Sequence, residues 1–274
     1  MRVPVSMIDV HQHIRYQVLN TPVRRFPFPH LYVENVFPAA WYSDLLRYLP
    51  KIEAYQPIGE TGTVPMDAYP QRFVGAIEPL ADAEGPGPTA QFWAEANRLL
   101  MAGELATLFL DAFAQAIEQQ YGTGSQFEIV REVRLVRDLT DYRLPPHTDH
   151  VRKLVSALFY LPPDDSLREH GTSLYVPADP SMIIDSDRHL SAEAFKRVAT
   201  MPFLPNSMFA FVRSGTSFHG VEAFARPRAQ RDSIMYNLYT ESVVTEQPGP
   251  PPETRPAAAH RAKRRGPLDW LTRR

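Results

Sequence analysis

His147 and Asp149 stand two residues apart in Leu144-Pro145-Pro146-His147-Thr148-Asp149, and His219 follows seventy residues after Asp149 in Ser217-Phe218-His219-Gly220-Val221-Glu222. Arg231 comes twelve residues beyond His219, with Ser233 two further on. Two neutral imidazoles and one carboxylate occupy one face of an iron(II) ion and leave positions open for a co-substrate and O₂. A guanidinium fork beside a small hydroxyl is a natural seat for a carboxylate. The chain has no cysteine. That excludes disulfides, zinc–thiolate sites, iron–sulfur clusters and thiol nucleophiles, so nitrogen and oxygen must supply any metal ligands.

Side chains two apart on an extended strand face the same way. His147 and Asp149 therefore point together, with Thr148 turned away and His150 facing out. Pro145 and Pro146 stiffen the approach. His219 falls in a short turn after a strand-like run, Ser207 to Val212, so it arrives from a separate element. Among nine histidines a lone H-x-D is weak, and its ordinary reading is a surface loop with a His–Asp hydrogen bond. His219 and the downstream Arg231-x-Ser233 make the set specific. Arg226 and Arg228 flank Pro227 in a turn where charges are usually solvated. Arg231 instead opens a strand-like run that ends near Tyr239.

The elements that must position these groups divide the chain in two. Residues 1–125 are expected to be mainly helical and residues 126–246 mainly β, together forming one domain. Phe26 to Val33 reads as an entry strand, and Pro38 opens a helix to about Leu49, with Pro in its favoured first position. Residues 55–88 look irregular. Thr89 to Tyr121 carries apolar residues at three-to-four spacing, divided at Gly103 and stopped by Gly122. The β half holds strand-like runs at 127–136, 153–161, 172–176, 207–212 and 233–244, and Ser191 to Val198 reads as its one helix. Short strands separated by Pro/Gly turns point to a sandwich or barrel.

At 274 residues, 44% hydrophobic and 11% aromatic, the chain can bury a sizeable core. The net charge of −2 gives no reason to expect a nucleic-acid or anionic-membrane partner. Residues 247–274 differ: a Pro-rich stretch with seven Lys/Arg against Glu253 and Asp269, expected to be an extended, solvated tail. No apolar run is long enough to span a bilayer, and no secretory h-region is visible, so a cytoplasmic location is expected.

With these residues in place, the chain resembles the iron(II)- and 2-oxoglutarate-dependent oxygenases, in their prolyl-hydroxylase-like branch. The likeness covers roughly residues 127–244 and, more loosely, Pro-Phe-Pro-His at 27–30. It implies an α+β fold with a double-stranded β-helix (jelly-roll) core and N-terminal helices packed on it. It also implies that His147, Asp149 and His219 form the facial triad for Fe(II). Arg231 and Ser233 would hold the distal carboxylate of 2-oxoglutarate. Tyr160 is a further candidate for that carboxylate, and Tyr142 for an aromatic near the co-substrate. O₂ would be the second co-substrate, with succinate and CO₂ released.

The implied reaction is hydroxylation of a small metabolite, an amino acid or a peptidyl residue. Relatives that halogenate lack the carboxylate that Asp149 supplies here. Desaturation, epoxidation or cyclisation would use the same cofactors. A cupin-like metal-binding protein without 2-oxoglutarate is the rival of another class, and Arg231-x-Ser233 argues against it. Candidates to meet the substrate are Arg134, Arg137, Arg152, Lys153, Tyr175, Arg213, Asn237 and Tyr239, whereas Phe211 and Met235 read as core. The loop Pro162 to His170 could serve as a lid or as a plain connection, and Asp164, Asp165 and His170 form a weak candidate second metal site.

Overall fold

The computed structural model describes residues 7–81, 87–184 and 191–244. The helical half contains α1 (Met7–Leu19), β1 (His30–Glu34), α2 (Ala39–Arg47), β2 (Gln56–Pro57), β3 (Arg72–Gly75), α3 (Glu78–Ala81), α4 (Pro88–Met101), α5 (Gly103–Ala112) and α6 (Ala114–Tyr121). The β half contains β4 (Gln126–Leu139), β5 (Leu144–His147), β6 (Lys153–Tyr160), β7 (Ser173–Pro177), β8 (Phe195–Thr200), β9 (Ser207–Val212), β10 (His219–Val221) and β11 (Gln230–Val244).

These strands form two antiparallel sheets. The larger has the order β1-β9-β6-β11-β4-β3-β2, and the smaller β5-β10-β7-β8. From β4 onward, strands alternate between the sheets except where β7 runs into β8, and each sheet pairs early strands with late ones. That order is the double-stranded β-helix. The tail at 247–274 lies outside the described residues.

A period of two decides what each strand contributes. On β11, Ile234, Tyr236 and Leu238 are fully buried in the apolar cluster beneath the helices, with Val133 and Leu135 of β4 and Val155, Ala157 and Phe159 of β6. The alternate residues, Arg231, Ser233, Met235 and Asn237, line a cavity between the sheets with Val136 and Asp138 of β4 and Ser156, Leu158 and Tyr160 of β6. One sheet thus has an apolar back, covered by α1, α2, α4, α5 and α6, and a mixed front. Val10, Ile14 and Val18 recur every four residues on α1 and are buried against that back, a helix that the sequence reading did not delimit.

Three other expectations are corrected. Ser191 to Val198 is not a helix: a single 3-10 turn at Ala192–Ala194 leads directly into β8, an edge strand paired with β7. Pairing with β7 outweighs a run of good helix formers. Residues 55–88 are not wholly irregular, since β3 adds to the large sheet through β4, bringing Arg72 opposite Asp138. The helical run after Thr89 breaks into three helices, with boundaries at Ala102 and Phe113.

Gly220 marks where β10 is squeezed between its neighbours. A Cβ there would fall 2.5 Å from the Leu144 carbonyl oxygen and 3.1 Å from that of Pro145, both backbone atoms. The strand must give way if the position gains a side chain. We expect Gly220→Ala to cost roughly 1–3 kcal/mol of stability, as overpacking does. It should also weaken metal affinity, because His219 is next in the chain. Thermal melting with and without added divalent metal checks both, and an unchanged melt would contradict the close approach.

Candidate metal centre

β5 and β10 pair so that His147 lies directly opposite His219, and their ring centroids are 4.4 Å apart. Asp149 follows β5 by two residues. Its Oδ1 is 4.0 Å from His147 Nε2 and 3.9 Å from His219 Nε2, and one ligand atom from each residue lies within 4.8 Å of the other two. Among the described residues this is the one group of three such side chains. Asp164, Asp165 and His170 do not form a second.

Both imidazoles are aimed by the backbone. His147 Nδ1 lies 3.0 Å from the Pro145 carbonyl oxygen, and His219 Nδ1 lies 2.9 Å from that of Ser217. A carbonyl only accepts, so each Nδ1 carries the proton and each Nε2 presents a lone pair to the shared space. Burial pushes His147 down to about 3, with the neighbouring His219 adding to the effect. Burial likewise lowers His219. Burial alone would raise the carboxyl of Asp149. Lys153, followed by the two imidazoles, more than reverses that and holds it well below the usual carboxylate range. Ser156 Oγ donates to Asp149 Oδ2 at 2.6 Å and Lys153 Nζ to Oδ1 at 3.2 Å.

The set is therefore two neutral nitrogens and one anionic oxygen, all buried, with hydrogen bonds already fixing their orientation. That donor chemistry fits a divalent first-row ion of the iron(II) kind, which a 2-His-1-carboxylate face binds with positions left open. Thr148, between two of the ligands, is buried and absent from the cavity wall; its hydroxyl donates to the Ile184 carbonyl at 3.3 Å. Arg213 Nε donates to the Asp149 carbonyl at 3.1 Å and so pins the backbone of the carboxylate. His150 is exposed.

The triad opens into the cavity between the sheets, about 110 Å³ in volume. Arg231 lines its other end, 5% exposed, with Nε and Nη1 lacking any partner. Its Nη2 is 3.9 Å from Asp138 Oδ2, and its guanidinium lies over the rings of Phe203 and Phe224. Ser233 and Tyr160 line the same end and are cross-strand partners. The Tyr160 hydroxyl donates to Thr172 Oγ1 at 2.7 Å, and burial pushes its pKa up to about 12.

Tyr142 does not line the cavity. It is fully buried behind Arg72, whose guanidinium stacks 4.2 Å above its ring. Arg72 and Asp138 were missed from the sequence. Arg72 Nε and Nη2 reach the two oxygens of Asp138 at 2.7 and 3.0 Å, and both residues line the cavity. No motif announces this pair, because the join is a strand pairing across 66 residues.

Of the substrate-facing candidates, Lys153 and Asn237 line the cavity. Arg137 lies on the opposite face of its sheet, paired with Asp232 at 2.7 Å. Tyr175 donates to Glu222 and Arg152 meets Glu241 at the surface. Arg134 and Tyr239 hold Glu132 beside the cavity. Phe211 and Met235, expected in the core, form part of the cavity wall, with Phe211 packed 4.5 Å from the His219 ring. The loop at 162–170 is a connection at the Arg231 end rather than a cover for the triad: Leu167 is buried beside Tyr160, and Leu161 N–H donates to the Asp232 carbonyl.

No family profile matches the chain, and no curated protein does. Solved structures of similar outline include a prolyl-4-hydroxylase from Pseudomonas putida, at 16% identity over 84% of this chain and 100% of that one, with a TM-score of 0.46. A prolyl hydroxylase from Trichoplax adhaerens, in complex with a hypoxia inducible factor peptide, gives 12%, 84%, 89% and 0.48 in the same order. The non-heme alpha ketoglutarate dependent epimerase of nogalamycin biosynthesis gives 13%, 88%, 84% and 0.49. Likenesses this loose transfer neither substrate nor residue role. Among the described residues, no helix is long and apolar enough to cross a membrane.

The lowered histidines set an acid limit. In the folded, metal-free protein they resist protonation, whereas unfolded histidines accept protons near 6.5. The unfolded chain therefore binds more protons as pH drops below about 6.5, for His147 down to about 3, and stability falls with pH through that window, by up to about 1.4 kcal/mol per unit for each proton. We expect the melting temperature of metal-free protein to fall from pH 7 to pH 5. The fall should be shallower in His147→Gln, measured by calorimetry.

Proposed function

We propose that the chain is an iron(II)- and 2-oxoglutarate-dependent oxygenase that hydroxylates an unactivated C–H bond of a small metabolite, amino acid or peptidyl residue. One observation carries this reading. A buried guanidinium with two unpartnered nitrogens faces the same cavity as a buried two-histidine, one-carboxylate set. Leaving charged donors unsatisfied in a protein interior is costly, so Arg231 calls for an anion that arrives with the ligand. A cupin-like metal protein has no use for it.

His147, Asp149 and His219 would hold the iron, and Arg231 with Ser233 the distal carboxylate of 2-oxoglutarate. When bound, iron and 2-oxoglutarate supply the oxidising chemistry: O₂ is consumed as the co-substrate becomes succinate and CO₂, and one oxygen enters the substrate. The protein contributes position and dryness. Asp138 braces Arg231 from one side while Phe203 and Phe224 cover its face. Tyr160 stays protonated and is oriented by Thr172. Val136, Leu144, Leu158, Val221 and Met235 give the cavity an apolar wall that keeps bulk water out.

Adding 2-oxoglutarate to the anaerobic Fe(II) protein should produce a metal-to-ligand charge-transfer band, and admitting O₂ should release succinate. His219→Ala should abolish both. Arg231→Ala should keep the metal but weaken 2-oxoglutarate binding roughly 100-fold, the ~3 kcal/mol of a charged hydrogen-bond pair. A normal band from His219→Ala protein would refute the ligand assignment.

A further inference from the structure

Five charged side chains line the cavity: Arg72, Lys153 and Arg231 against Asp138 and Asp149. Arg72 and Asp138 neutralise each other through two hydrogen bonds. On the oxygenase reading, a divalent ion, the doubly charged co-substrate, Asp149 and Arg231 also sum to zero. Lys153 is then the surplus cation. Its side chain is 13% exposed and gives one N–H to Asp149 Oδ1, which leaves two of its three donors for other acceptors. With Asp149 shared with the divalent ion, a cation held this far from water favours a second anion at its remaining donors.

A second group shares that end of the cavity. Asn237 is fully buried, and its Nδ2 donates to Glu132 Oε2 at 2.9 Å. A carboxylate only accepts, so the amide cannot be turned over, and its Oδ1 is left as a buried acceptor with no partner. Arg134 and the Tyr239 hydroxyl hold Glu132 in place at 2.6 and 3.1 Å. Asn237 lies opposite Ser156, which supports Asp149, and Tyr239 lies opposite Lys153. Arg231 is six residues back along the same strand, about 20 Å at ~3.4 Å per residue, so these groups sit far from the acid seat and beside the triad.

We propose that Lys153 and Asn237 form the substrate subsite. The substrate is then a small amino acid or hydroxy acid whose carboxylate meets the Lys153 ammonium and whose N–H or O–H meets Asn237 Oδ1. This inference rests on the oxygenase reading. The test uses wild-type protein with Fe(II) and 2-oxoglutarate and a panel of free amino acids and 2-hydroxy acids. Each is paired with its methyl ester and with the derivative that has no donor left, trimethylated at nitrogen or methylated at the hydroxyl oxygen, and succinate is the readout.

At least one free acid should stimulate succinate release, with its ester and its donor-blocked form each at least tenfold poorer in kcat/KM. Lys153→Met should raise the KM of that acid at least tenfold while Lys153→Arg largely restores it, and Asn237→Leu should erase the penalty for blocking the donor. Esters that match the acids, or a panel in which no acid stimulates although the charge-transfer band forms, would overturn the subsite. Absence of the band itself would overturn the oxygenase reading beneath it.

Discussion

The ladder between β5 and β10 is the constraint on which the site depends. It places His147 opposite His219, and the turn that ends β5 brings Asp149 round to the same side. Two backbone carbonyls then fix the imidazole tautomers. The squeeze at Gly220 shows how tightly the arrangement is drawn: β10 passes so near β5 that no side chain fits between them. Two imidazoles held by main-chain carbonyls and a carboxylate held by Ser156 and Lys153 need little rearrangement to receive an ion, which is the purpose of a supporting shell.

The large sheet complements this with a division of labour imposed by the pleat. Its back is apolar and anchored to the helices, so the strands cannot slip without turning Ile234, Tyr236 and Leu238 out of the core. Its front is free to carry polar groups because the other face already stabilises the fold. Along β11 that front runs from Arg231 through Met235 to Asn237: a cation, an apolar middle and an oriented amide. The cavity is polar at its two ends and apolar between them, the pattern of a pocket that fixes a ligand at two points.

Burying so many charged groups is expensive, and the structure meets most of that cost internally. Arg72 satisfies Asp138, Lys153 and Ser156 satisfy Asp149, and Arg137 satisfies Asp232. Among the residues that line the cavity, what stays unsatisfied is directional: Arg231 Nε and Nη1 and Asn237 Oδ1. Such groups destabilise the empty protein and favour the bound one, and they define the ligand by what they lack.

Sequence alone identified the triad, because nitrogen and oxygen donors at H-x-D spacing, a distant His and an Arg-x-Ser on a strand are chemistry written in residue types. It also put Arg231 and Ser233 on one face of a strand, because alternation is local, but it read Met235 on that same face as core. Tertiary structure decided the rest. Ser191 to Val198 became strand and turn because ladder pairing with β7 outweighs helix propensities below ~1 kcal/mol per residue. Arg72 joined the cavity because β3 pairs with β4, a contact no local pattern encodes, and its stacking on Tyr142 moved that ring behind the wall. Lys153 and Asn237 were two names among eight surface-or-site candidates until strand register placed them beside the carboxylate. Which way a polar side chain faces, and what it is left without, depends on neighbours distant in the chain.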